Sequence, residues 1–326
     1  MLLVITKTTD PKFNLAAEEY LLKNFEEEIF FLWRNAPSII IGKNQNAYSE
    51  IDIDYVKEKN ITVVRRQTGG GAVFHDLGNV NFSYITSYSE GEDISFERFT
   101  RPVCGFINTL GAKAEFAGRN DIVIDGQKIS GNAQTIWKNR FLHHGTLLFC
   151  ANMNDLSKAL TVNPLKIQSK GIKSVKARVT NIASHINENI SVEQFMERLF
   201  EYTAKNDTDG HIYELTAKDI AAIEKLKEEK YAAWSWNFGE NPSYSFKKSA
   251  KYTAGIIEIG MNIENEHIKD ISIKGDFFAS GEIDGLEKIL CGLPHKEEDI
   301  RNVLKGIDLT PYIGGITEDE LVAVLF

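Results

Sequence analysis

The segment that most restricts how this chain can fold is an arginine pair, Arg65 and Arg66, followed after a short gap by three glycines, Gly69 to Gly71. Successive glycines let a backbone turn with positive φ and come close to a ligand. Arginine presents a planar fork of donors that matches phosphate and carboxylate oxygens. The residue chemistry therefore predicts an anion-binding loop, although three glycines alone are more typical of a flexible connection.

This segment does not match the common nucleotide-binding loops. The phosphate loop needs Ser or Thr directly after its Gly-Lys pair, whereas Gly42-Lys43 is followed by Asn44. A dinucleotide-binding glycine loop opens a helix, but here the chain goes on to alternate like a strand from Val80 to Thr86. We expect the glycine segment to connect this strand with a strand from Ile61 to Arg66, as sheet neighbours.

Composition and charge exclude several classes of protein. A chain of 326 residues with 43% apolar content can bury a large core, and its net charge of −9 argues against a nucleic-acid binder. The three cysteines are far apart, which indicates neither a disulfide framework nor a zinc site. The first residues do not resemble a secretory signal, and no segment approaches the roughly 18 apolar residues of a membrane span. We expect a cytoplasmic globular protein without a membrane or nucleic-acid partner.

A shift in composition, to Asn241-Pro242-Ser243 and then Lys247-Lys248-Ser249, predicts two units, residues 1–246 and residues 247–326. In the first unit, Asp10 caps a helix that runs to Asn24, because Pro11 suits the first helical position. Short strands and further helices follow, including one from residue 156 to residue 160. In the second unit a hairpin beginning at Tyr252 precedes helical segments, which is typical of a small α+β domain.

Three further segments carry residues that could do chemistry. Lys128 follows a tight turn and has small neighbours, which favours ligand contact over the solvated side chain that is usual for a hairpin lysine. His143 and His144 lie in a strand and point to opposite faces, so they cannot chelate one metal, and we expect one of them to face a site. The basic stretch from residue 164 to residue 181 is either a solvated loop or a mobile loop that closes over phosphate.

Several motifs together resemble the lipoate–protein ligases. In matching order they are RRQTGGGAVFHDLGN, GRNDIVIDGQKISGNAQ, HHGTLLF and KGIKSVKARVTN, with FLWRNAPSIIIGKNQN and WSWNFG in support. Each is weak alone, but the set is specific and extends over roughly residues 13 to 239. The resemblance implies an α/β (α+β) fold: a biotin/lipoyl ligase-like catalytic domain with mixed sheets and flanking helices, plus the small α+β C-terminal domain of bacterial members.

The resemblance also implies an ATP-dependent reaction in two steps. Lipoate and ATP would form lipoyl-AMP and pyrophosphate, and the lipoyl group would then pass to a lysine of an acceptor protein. The implied substrates are ATP and lipoate, with Mg²⁺ and without a tightly bound prosthetic group. The implied partners are apo lipoyl domains of 2-oxoacid dehydrogenase E2 subunits and the glycine-cleavage H protein, and the enzyme is expected to be a monomer.

The residue roles follow from positions that match the motifs. Attack of a carboxylate on a phosphate brings two anions together, so Lys128 and Arg66 are the expected catalytic cations. The expected ATP and adenylate contacts are Arg66, Gly70, Gly71, Ala72, Val73, Phe74, Lys128, Lys173 and Ser174. The expected lipoate contacts are Lys128, His75, Ser130 and Thr146. Asp121 is the expected Mg²⁺ ligand, and Trp33 is expected in the core.

The sequence leaves open two alternative functions, the preferred acid and the role of the small domain. A cysteine-dependent octanoyl or lipoyl transferase needs a reactive thiol, and none of the cysteines has an obviously reactive setting. A non-catalytic lipoate-binding protein needs only the pocket. Lipoate and octanoate share an apolar tail, so the sequence leaves the preferred acid open. We also hypothesise that the small domain swings after adenylation to admit the acceptor.

Overall fold

The structure is a computed structural model that describes residues 1–153, 179–206, 210–238, 244 and 246–326. Within these ranges the chain forms an eight-stranded mixed sheet and two three-stranded sheets. None of the described helices is long and apolar enough to cross a membrane. The predicted helix at residues 156–160 lies outside the described residues.

The elements are numbered in chain order. The strands are β1 (Leu2–Ile5), β2 (Ile29–Arg34), β3 (Ser38–Ile41), β4 (Thr62–Arg65), β5 (Val73–His75), β6 (Asn79–Ser87), β7 (Ala114–Ala117), β8 (Asp121–Ile124), β9 (Gln127–Trp137), β10 (Arg140–Leu148), β11 (His211–Ile212), β12 (Phe246–Tyr252), β13 (Gly255–Glu264) and β14 (His267–Gly275). The helices are α1 (Pro11–Asn24), α2 (Ala47–Glu50), α3 (Ile53–Glu58), α4 (Phe96–Thr109), α5 (Val192–Asn206), α6 (Ala217–Leu226), α7 (Trp234–Asn237), α8 (Ile283–Leu290), α9 (Glu297–Leu304) and α10 (Glu318–Leu325).

The large sheet has the spatial order β11-β1-β2-β6-β10-β9-β8-β7, and its central strands β2, β6 and β10 are buried on both faces. Strand β1 is parallel to both of its neighbours, and the other pairs are antiparallel. Along β2, Phe30 packs into the core on one side of the sheet and Phe31 into the core on the other. This alternation follows from the two-residue period of a strand, and it explains why β2 is apolar at almost every position.

Helices cover the two faces of the large sheet. Helix α1 begins as the sequence predicts, because the Asp10 side chain accepts a hydrogen bond from the Lys12 amide and Pro11 occupies the first turn. It packs on one face, and α4 and α5 cover the other, where the Phe106 and Phe195 rings lie 5.3 Å apart. The cavity described below lies on the α1 side.

A second sheet, in the order β4-β3-β5, carries the glycine segment between its two outer strands. Strand β3 is parallel to β4 and antiparallel to β5. The prediction that the strands flanking the glycines are sheet neighbours is therefore wrong. The short strand β5 pairs with β3 first, and the next strand, β6, lies in the large sheet.

The C-terminal unit has its own antiparallel sheet, β12-β13-β14, and its own apolar core. Helices α8 and α10 pack on this sheet, and α9 packs against α10. The predicted α+β unit is confirmed, although its first strand is β12 and not the strand beginning at Tyr252. The lysines at positions 247 and 248 interrupt the apolar pattern of β12. The boundary between residues 246 and 247 stays a prediction.

Asn14 ties helix α1 to the sheet and to the loop before the helix. Its buried side-chain amide lies within hydrogen-bond distance of the carbonyl oxygens of Thr8 (3.2 Å) and Arg34 (2.8 Å) and of Asn35 Oδ1 (3.0 Å). Its Oδ1 accepts a hydrogen bond from the Thr6 hydroxyl at 2.8 Å. Removing this side chain would leave several buried polar groups unpaired.

We predict that Asn14→Ala lowers the free energy of unfolding by roughly 2–4 kcal/mol, because each unpaired buried group costs about 1–3 kcal/mol. Asn24→Ala is the matched control in the same helix, since the exposed Asn24 amide donates only to Tyr20 O. That control should stay within about 0.5 kcal/mol of the unsubstituted protein. Urea unfolding measures both, and equal losses would contradict the assigned role of Asn14.

Candidate active site

The Arg66 side chain fixes the conformation of the glycine loop through hydrogen bonds to its backbone. Its guanidinium is buried and donates to the carbonyl oxygens of Ile40 (3.0 Å), Gly69 (2.7 Å) and Gly71 (2.8 Å) and to Thr68 Oγ1 (2.9 Å). Burial lowers the pKa of Arg66 to about 10, which leaves the side chain charged at neutral pH. The loop therefore takes its shape from a fixed positive charge.

Arg65 points to the other face of β4, as alternation in a strand requires. Its guanidinium donates to carbonyl oxygens of residues 42, 43 and 45 at 2.7 to 3.0 Å. It also donates to the carbonyl oxygens of Trp236 and Asn237, both at 2.9 Å. The two arginines therefore have different partners, and Arg65 joins the 42–45 turn to helix α7.

Two of the glycines are required by the backbone. Gly70 has a φ of +88°, a left-handed conformation that side chains disfavour. A Cβ on Gly69 would lie 2.4 Å from the carbonyl oxygen of Phe277, which belongs to the C-terminal unit. Gly70 is thus required by the turn, and Gly69 is required by the close approach between the two units.

A cavity of about 140 Å³ lies between the glycine loop and the large sheet. Its floor crosses neighbouring strands, from Trp33 on β2 through Asn81 on β6 and Thr146 on β10 to Gly131 on β9. Since adjacent strands lie about 4.8 Å apart, the floor is about 14 Å long. The cavity can therefore hold an extended acyl chain along the floor.

The structure brings most of the predicted site residues together in this cavity. The predicted residues that line it are Arg66, Gly70, Gly71, Ala72, Val73, His75, Lys128 and Thr146. Arg66 and Lys128, the two expected catalytic cations, thus share one cavity. Trp33, which we expected only in the core, packs in the core and also lines the cavity.

Lys128 stands beside the predicted metal ligand. Its Nζ lies 2.7 Å from Asp121 Oδ1, and the two side chains are 38% and 30% exposed. Among the described residues, no group of three or more His, Cys, Asp and Glu side chains could hold a metal ion. Mg²⁺ needs only one or two carboxylates when phosphate oxygens supply other ligands, so Asp121 fits that kind of site.

His75 presents a neutral imidazole to the cavity region. The Asn35 amide, oriented by Asn14, donates to His75 Nδ1 at 3.1 Å, which puts the ring hydrogen on Nε2. Within the described residues, that buried Nε2 has no hydrogen-bond partner. Burial, with smaller contributions from the Arg66 and His144 charges, lowers the pKa of His75 to about 3. The ring therefore stays uncharged at neutral pH.

The paired histidines face opposite sides of β10, as predicted. His143 lies among aromatic rings, with the Phe99 ring centroid 5.1 Å away, and burial holds its pKa well below the ordinary value. His144 lines the cavity, where its Nδ1 lies 2.9 Å from Glu18 Oε1 and its Nε2 lies 2.8 Å from Thr68 Oγ1. His144 is the histidine that faces the site.

Glu18 is the residue that sequence reasoning missed. It is 1% exposed, and it accepts a hydrogen bond from Ser83 Oγ at 2.6 Å. A signal was present, because Glu18 lies between Leu15 and Leu22 on the face of α1 that the helical period assigns to the core. A carboxylate at such a position needs a partner, and this one has several.

Two predicted contacts lie outside the cavity lining. Phe74 packs in the core of the second sheet, because alternation along β5 turns Val73 and His75 to the cavity and Phe74 away. Ser130 is buried and accepts a hydrogen bond from the Asn132 amide at 3.2 Å. A break in strand register beside Ile129 puts Gly131 at the cavity in its place. Lys173 and Ser174 lie outside the described residues.

The C-terminal unit contacts the rim of the cavity. The Gly70 amide donates to the Phe277 carbonyl oxygen at 3.3 Å, and the Gly275 amide donates to Asn44 O at 2.7 Å. The Phe278 ring lies 4.5 Å from the Arg119 guanidinium carbon. One of the amides that we expected to contact the adenylate is thus already bonded to the C-terminal unit.

Family profiles match both parts of the chain. A profile described as "Lipoyl protein ligase A/B catalytic domain" matches residues 10–204, and one described as "Bacterial lipoate protein ligase C-terminus" matches residues 241–325. Lipoate–protein ligase 1 of Staphylococcus aureus is 44% identical over 97% of each chain. Lipoate-protein ligase LplJ of Bacillus subtilis is 41% identical, also over 97% of each chain.

Solved structures have the same architecture. P. falciparum LipL1 in complex with lipoate is 32% identical, with a TM-score of 0.81 over 94% of each chain. A bi-partite lipoate protein ligase from Thermoplasma acidophilum, solved in a study of the ligase and its E2 lipoyl domain, is 30% identical, with a TM-score of 0.64 over 75% of this chain and 98% of that chain. A lipoate-protein ligase A bound with ATP is 29% identical, with a TM-score of 0.63 over 73% and 98%.

The fold, the shared cavity and these matches define an enzyme of the ligase class with a mixed α/β catalytic unit and a C-terminal unit. The chain belongs to the lipoyl protein ligase family, as lipoate–protein ligases 41–44% identical to it show. The predicted family, fold class and enzyme class are therefore confirmed.

The lowered pKa of His75 makes folding stability depend on pH. The unfolded chain takes up this proton near pH 6.5, whereas the folded protein does so only near pH 3. Stability is therefore lost as the pH falls through this window, by up to about 1.4 kcal/mol per pH unit from this one group.

We predict that His75→Gln reduces the slope of unfolding free energy against pH by about 1.4 kcal/mol per pH unit between pH 4 and 6. Urea unfolding at several pH values measures the slope. His211→Gln, on the exposed strand β11, is the control and should keep the unsubstituted slope. An unchanged slope in the His75 variant would show that the folded protein binds this proton as readily as the unfolded chain does.

Proposed function

We propose that this chain activates lipoate with ATP to give lipoyl-AMP and pyrophosphate, and then transfers the lipoyl group to a lysine of an apo lipoyl domain. The observation that carries the proposal is a single cavity lined by Arg66 and Lys128 at its polar part and by Trp33 at its apolar end. The names of the similar proteins, with lipoate in one solved structure and ATP in another, support both substrates.

In the first step a lipoate carboxylate oxygen attacks the α-phosphorus. A phosphorus–oxygen bond forms, the bond to the bridging oxygen breaks, and pyrophosphate leaves with the electron pair. The Lys128 ammonium would offset the repulsion between the two anions, and the amides of Gly71 and Ala72, which line the same cavity, would contact the adenylate. Fixed positive charge is effective here because it needs no reorganisation during the reaction.

In the second step the acceptor lysine attacks the acyl carbonyl carbon as a neutral amine. A carbon–nitrogen bond forms, the bond to AMP oxygen breaks, and the amine loses a proton. Lys128 can polarise the same carbonyl, so one cation serves both steps. Its partner Asp121 would hold Mg²⁺ together with phosphate oxygens, and that ion would neutralise phosphate charge when bound.

Arg66 contributes mainly through the loop that it holds. Several of its donors already contact carbonyl oxygens of the loop or Thr68. Its charge lies beneath the place where the phosphates would bind and favours anions there. A direct hydrogen bond from Arg66 to a phosphate oxygen stays a prediction, as do adenylate contacts from Lys173 and Ser174.

A thioester route has less support. None of the three cysteines is among the cavity-lining residues. Burial raises the pKa of Cys104 to about 11 and raises that of Cys150 as well, which disfavours the reactive thiolate. The ligase route needs no covalent nucleophile, and the cavity supplies the cations that it does need.

The acceptors would be lipoyl domains of E2 subunits and the glycine-cleavage H protein, met by a monomeric cytoplasmic enzyme. The T. acidophilum ligase, which was studied together with its E2 lipoyl domain, supports the first of these. Because this chain carries a net charge of −9, we expect local complementarity and not net attraction to decide acceptor choice.

The C-terminal unit would have to leave the rim of the cavity before the Gly70 amide could contact the adenylate.

We predict that Lys128→Ala lowers lipoylation at least about 100-fold, because it removes the cation next to the reacting carboxylate. Mass spectrometry of an apo lipoyl domain incubated with protein, lipoate, ATP and Mg²⁺ measures the lysine adduct.

Lys138→Ala, in the exposed turn after β9, is the matched control and should keep the unsubstituted rate. An adduct formed equally well by the Lys128 variant would remove this residue from its role. No adduct with the unsubstituted protein, with either lipoate or octanoate, would overturn the proposed function itself.

We also predict that Phe278→Ala lowers the KM for ATP several-fold. This change removes the ring that packs on Arg119 and Phe96, and so weakens the contact that occupies the Gly70 amide. Phe326→Ala is the control, since that ring stacks on His295 within the C-terminal unit. Steady-state pyrophosphate release measures KM, and a value equal to the control would contradict competition at Gly70.

A further inference from the structure

Glu18 lies where two hydrogen-bond chains meet, one from Trp33 and one from Arg66, and both of these residues line the cavity. One chain runs from Trp33 Nε1 to Ser83 Oγ (3.2 Å) and from Ser83 Oγ to Glu18 Oε1 (2.6 Å). The other runs from Arg66 Nε to Thr68 Oγ1 (2.9 Å), on to His144 Nε2 (2.8 Å), and from His144 Nδ1 to Glu18 (2.9 Å). Both chains end on Oε1 of the same buried carboxylate, and His144 Nδ1 also lies 3.0 Å from Oε2.

The direction of each hydrogen bond follows from the groups involved. The indole and guanidinium nitrogens can only donate, and the carboxylate can only accept. Thr68 Oγ1 accepts from Arg66 and can donate its own hydrogen to His144 Nε2, so we assign the ring hydrogen of His144 to Nδ1, which donates to Glu18. Within the described part of the chain, Thr68 Oγ1 has no other side-chain partner that could take this hydrogen. The whole network is therefore ordered only when Glu18 accepts from both sides.

We propose that Glu18 is a positioning residue for both substrates of the reaction proposed above, on which this inference rests. Through Ser83 it fixes the indole at the apolar end, where the far end of the acyl chain lies. Through His144 and Thr68 it fixes Arg66 and hence the glycine loop at the nucleotide end. Glu18 touches neither reacting group and is not among the cavity-lining residues.

The negative charge of Glu18 explains why this position needs a carboxylate. The buried Arg66 guanidinium bonds to neutral oxygens, and the Glu18 charge acts on it across the cavity wall and favours its cationic form. Glutamine has the same shape, but its amide nitrogen must replace one of the two oxygens. In place of Oε1 it could not accept from Ser83 or His144, and in place of Oε2 it would put a donor 3.0 Å from the donating His144 Nδ1.

The next residue in the helix is a matched comparison. Glu19 is also buried, at 2% exposed, but it pairs with Lys23 (2.6 Å) and Lys230 (2.7 Å) on a different side of α1. Neither Glu19 nor these lysines line the cavity. Glu19→Gln thus removes a buried carboxylate from the same helix without touching the network.

The test measures KM for lipoate, KM for ATP and kcat for lipoyl-AMP formation in four full-length variants. Glu18→Gln should raise both KM values about tenfold, the effect of one lost hydrogen bond to a charged group. Ser83→Ala should raise only the KM for lipoate, and Thr68→Val only the KM for ATP. Glu19→Gln should change neither by more than about twofold, whatever it does to the thermal midpoint.

A double variant separates positioning from general destabilisation. If both residues act in one chain, Glu18→Gln combined with Thr68→Val should raise the KM for ATP no further than the larger single effect, whereas Glu19→Gln combined with Thr68→Val should give the product of the single effects. Equal kinetic effects of Glu18→Gln and Glu19→Gln, or multiplying effects in the first pair, would overturn the proposal.

If Glu18→Gln does not fold, the two single-hydroxyl variants decide the question. The proposal requires that each changes one KM and spares the other, so equal changes in both values, or no change in either, would contradict it. Failure of the unsubstituted protein to form lipoyl-AMP would instead refute the proposed function. The two failures are therefore distinguishable.

Discussion

A buried guanidinium that donates to the backbone of its own loop is the interaction on which the active site depends. Taking Arg66 out of water costs several kcal/mol, and hydrogen bonds to carbonyl oxygens and to Thr68 offset that cost. The loop cannot relax to another shape without leaving the charge unpaired. A chain with a net charge of −9 thereby keeps a permanent cation beside the cavity in which we propose that two anionic substrates meet.

The large sheet completes the site because it supplies a rigid floor of the right length. The strands β2, β6, β10 and β9 contribute residues to the cavity lining, and Leu15 of helix α1 also lines it. The part of the cavity near Trp33 thus belongs to the protein core, whereas Lys128 and the glycine residues come from a hairpin and a loop. This arrangement suits the proposed binding of an apolar tail in one part of the cavity and of charged groups in another.

The sequence predicted those parts of the site that depend on short-range patterns. The helix cap at Asp10, the strand β2 and the opposite directions of His143 and His144 follow from local chemistry and strand alternation. The grouping of Arg66, which directly follows β4, with Lys128 in β9 followed from the family resemblance and not from any local pattern.

What could not be predicted depends on tertiary pairing. The position of Ser130 changed because strand register breaks beside Ile129, and Phe74 turned away because β5 pairs with β3. No local sequence pattern indicates the register break or the pairing of β5 with β3. Glu18 was detectable as a carboxylate on an apolar helix face, but its partners come from residues 65 to 126 positions further along the chain.

The bond between the Gly70 amide and the Phe277 carbonyl oxygen has a thermodynamic consequence. Two partners that need the same donor weaken each other by the same factor, whichever arrives first. If the adenylate uses the Gly70 amide, as we propose, its binding loosens the C-terminal unit to the same extent that the docked unit weakens adenylate binding. Through this reciprocity, the conversion of ATP to the adenylate and then to AMP would also change the fraction of time that the C-terminal unit spends away from the rim of the cavity.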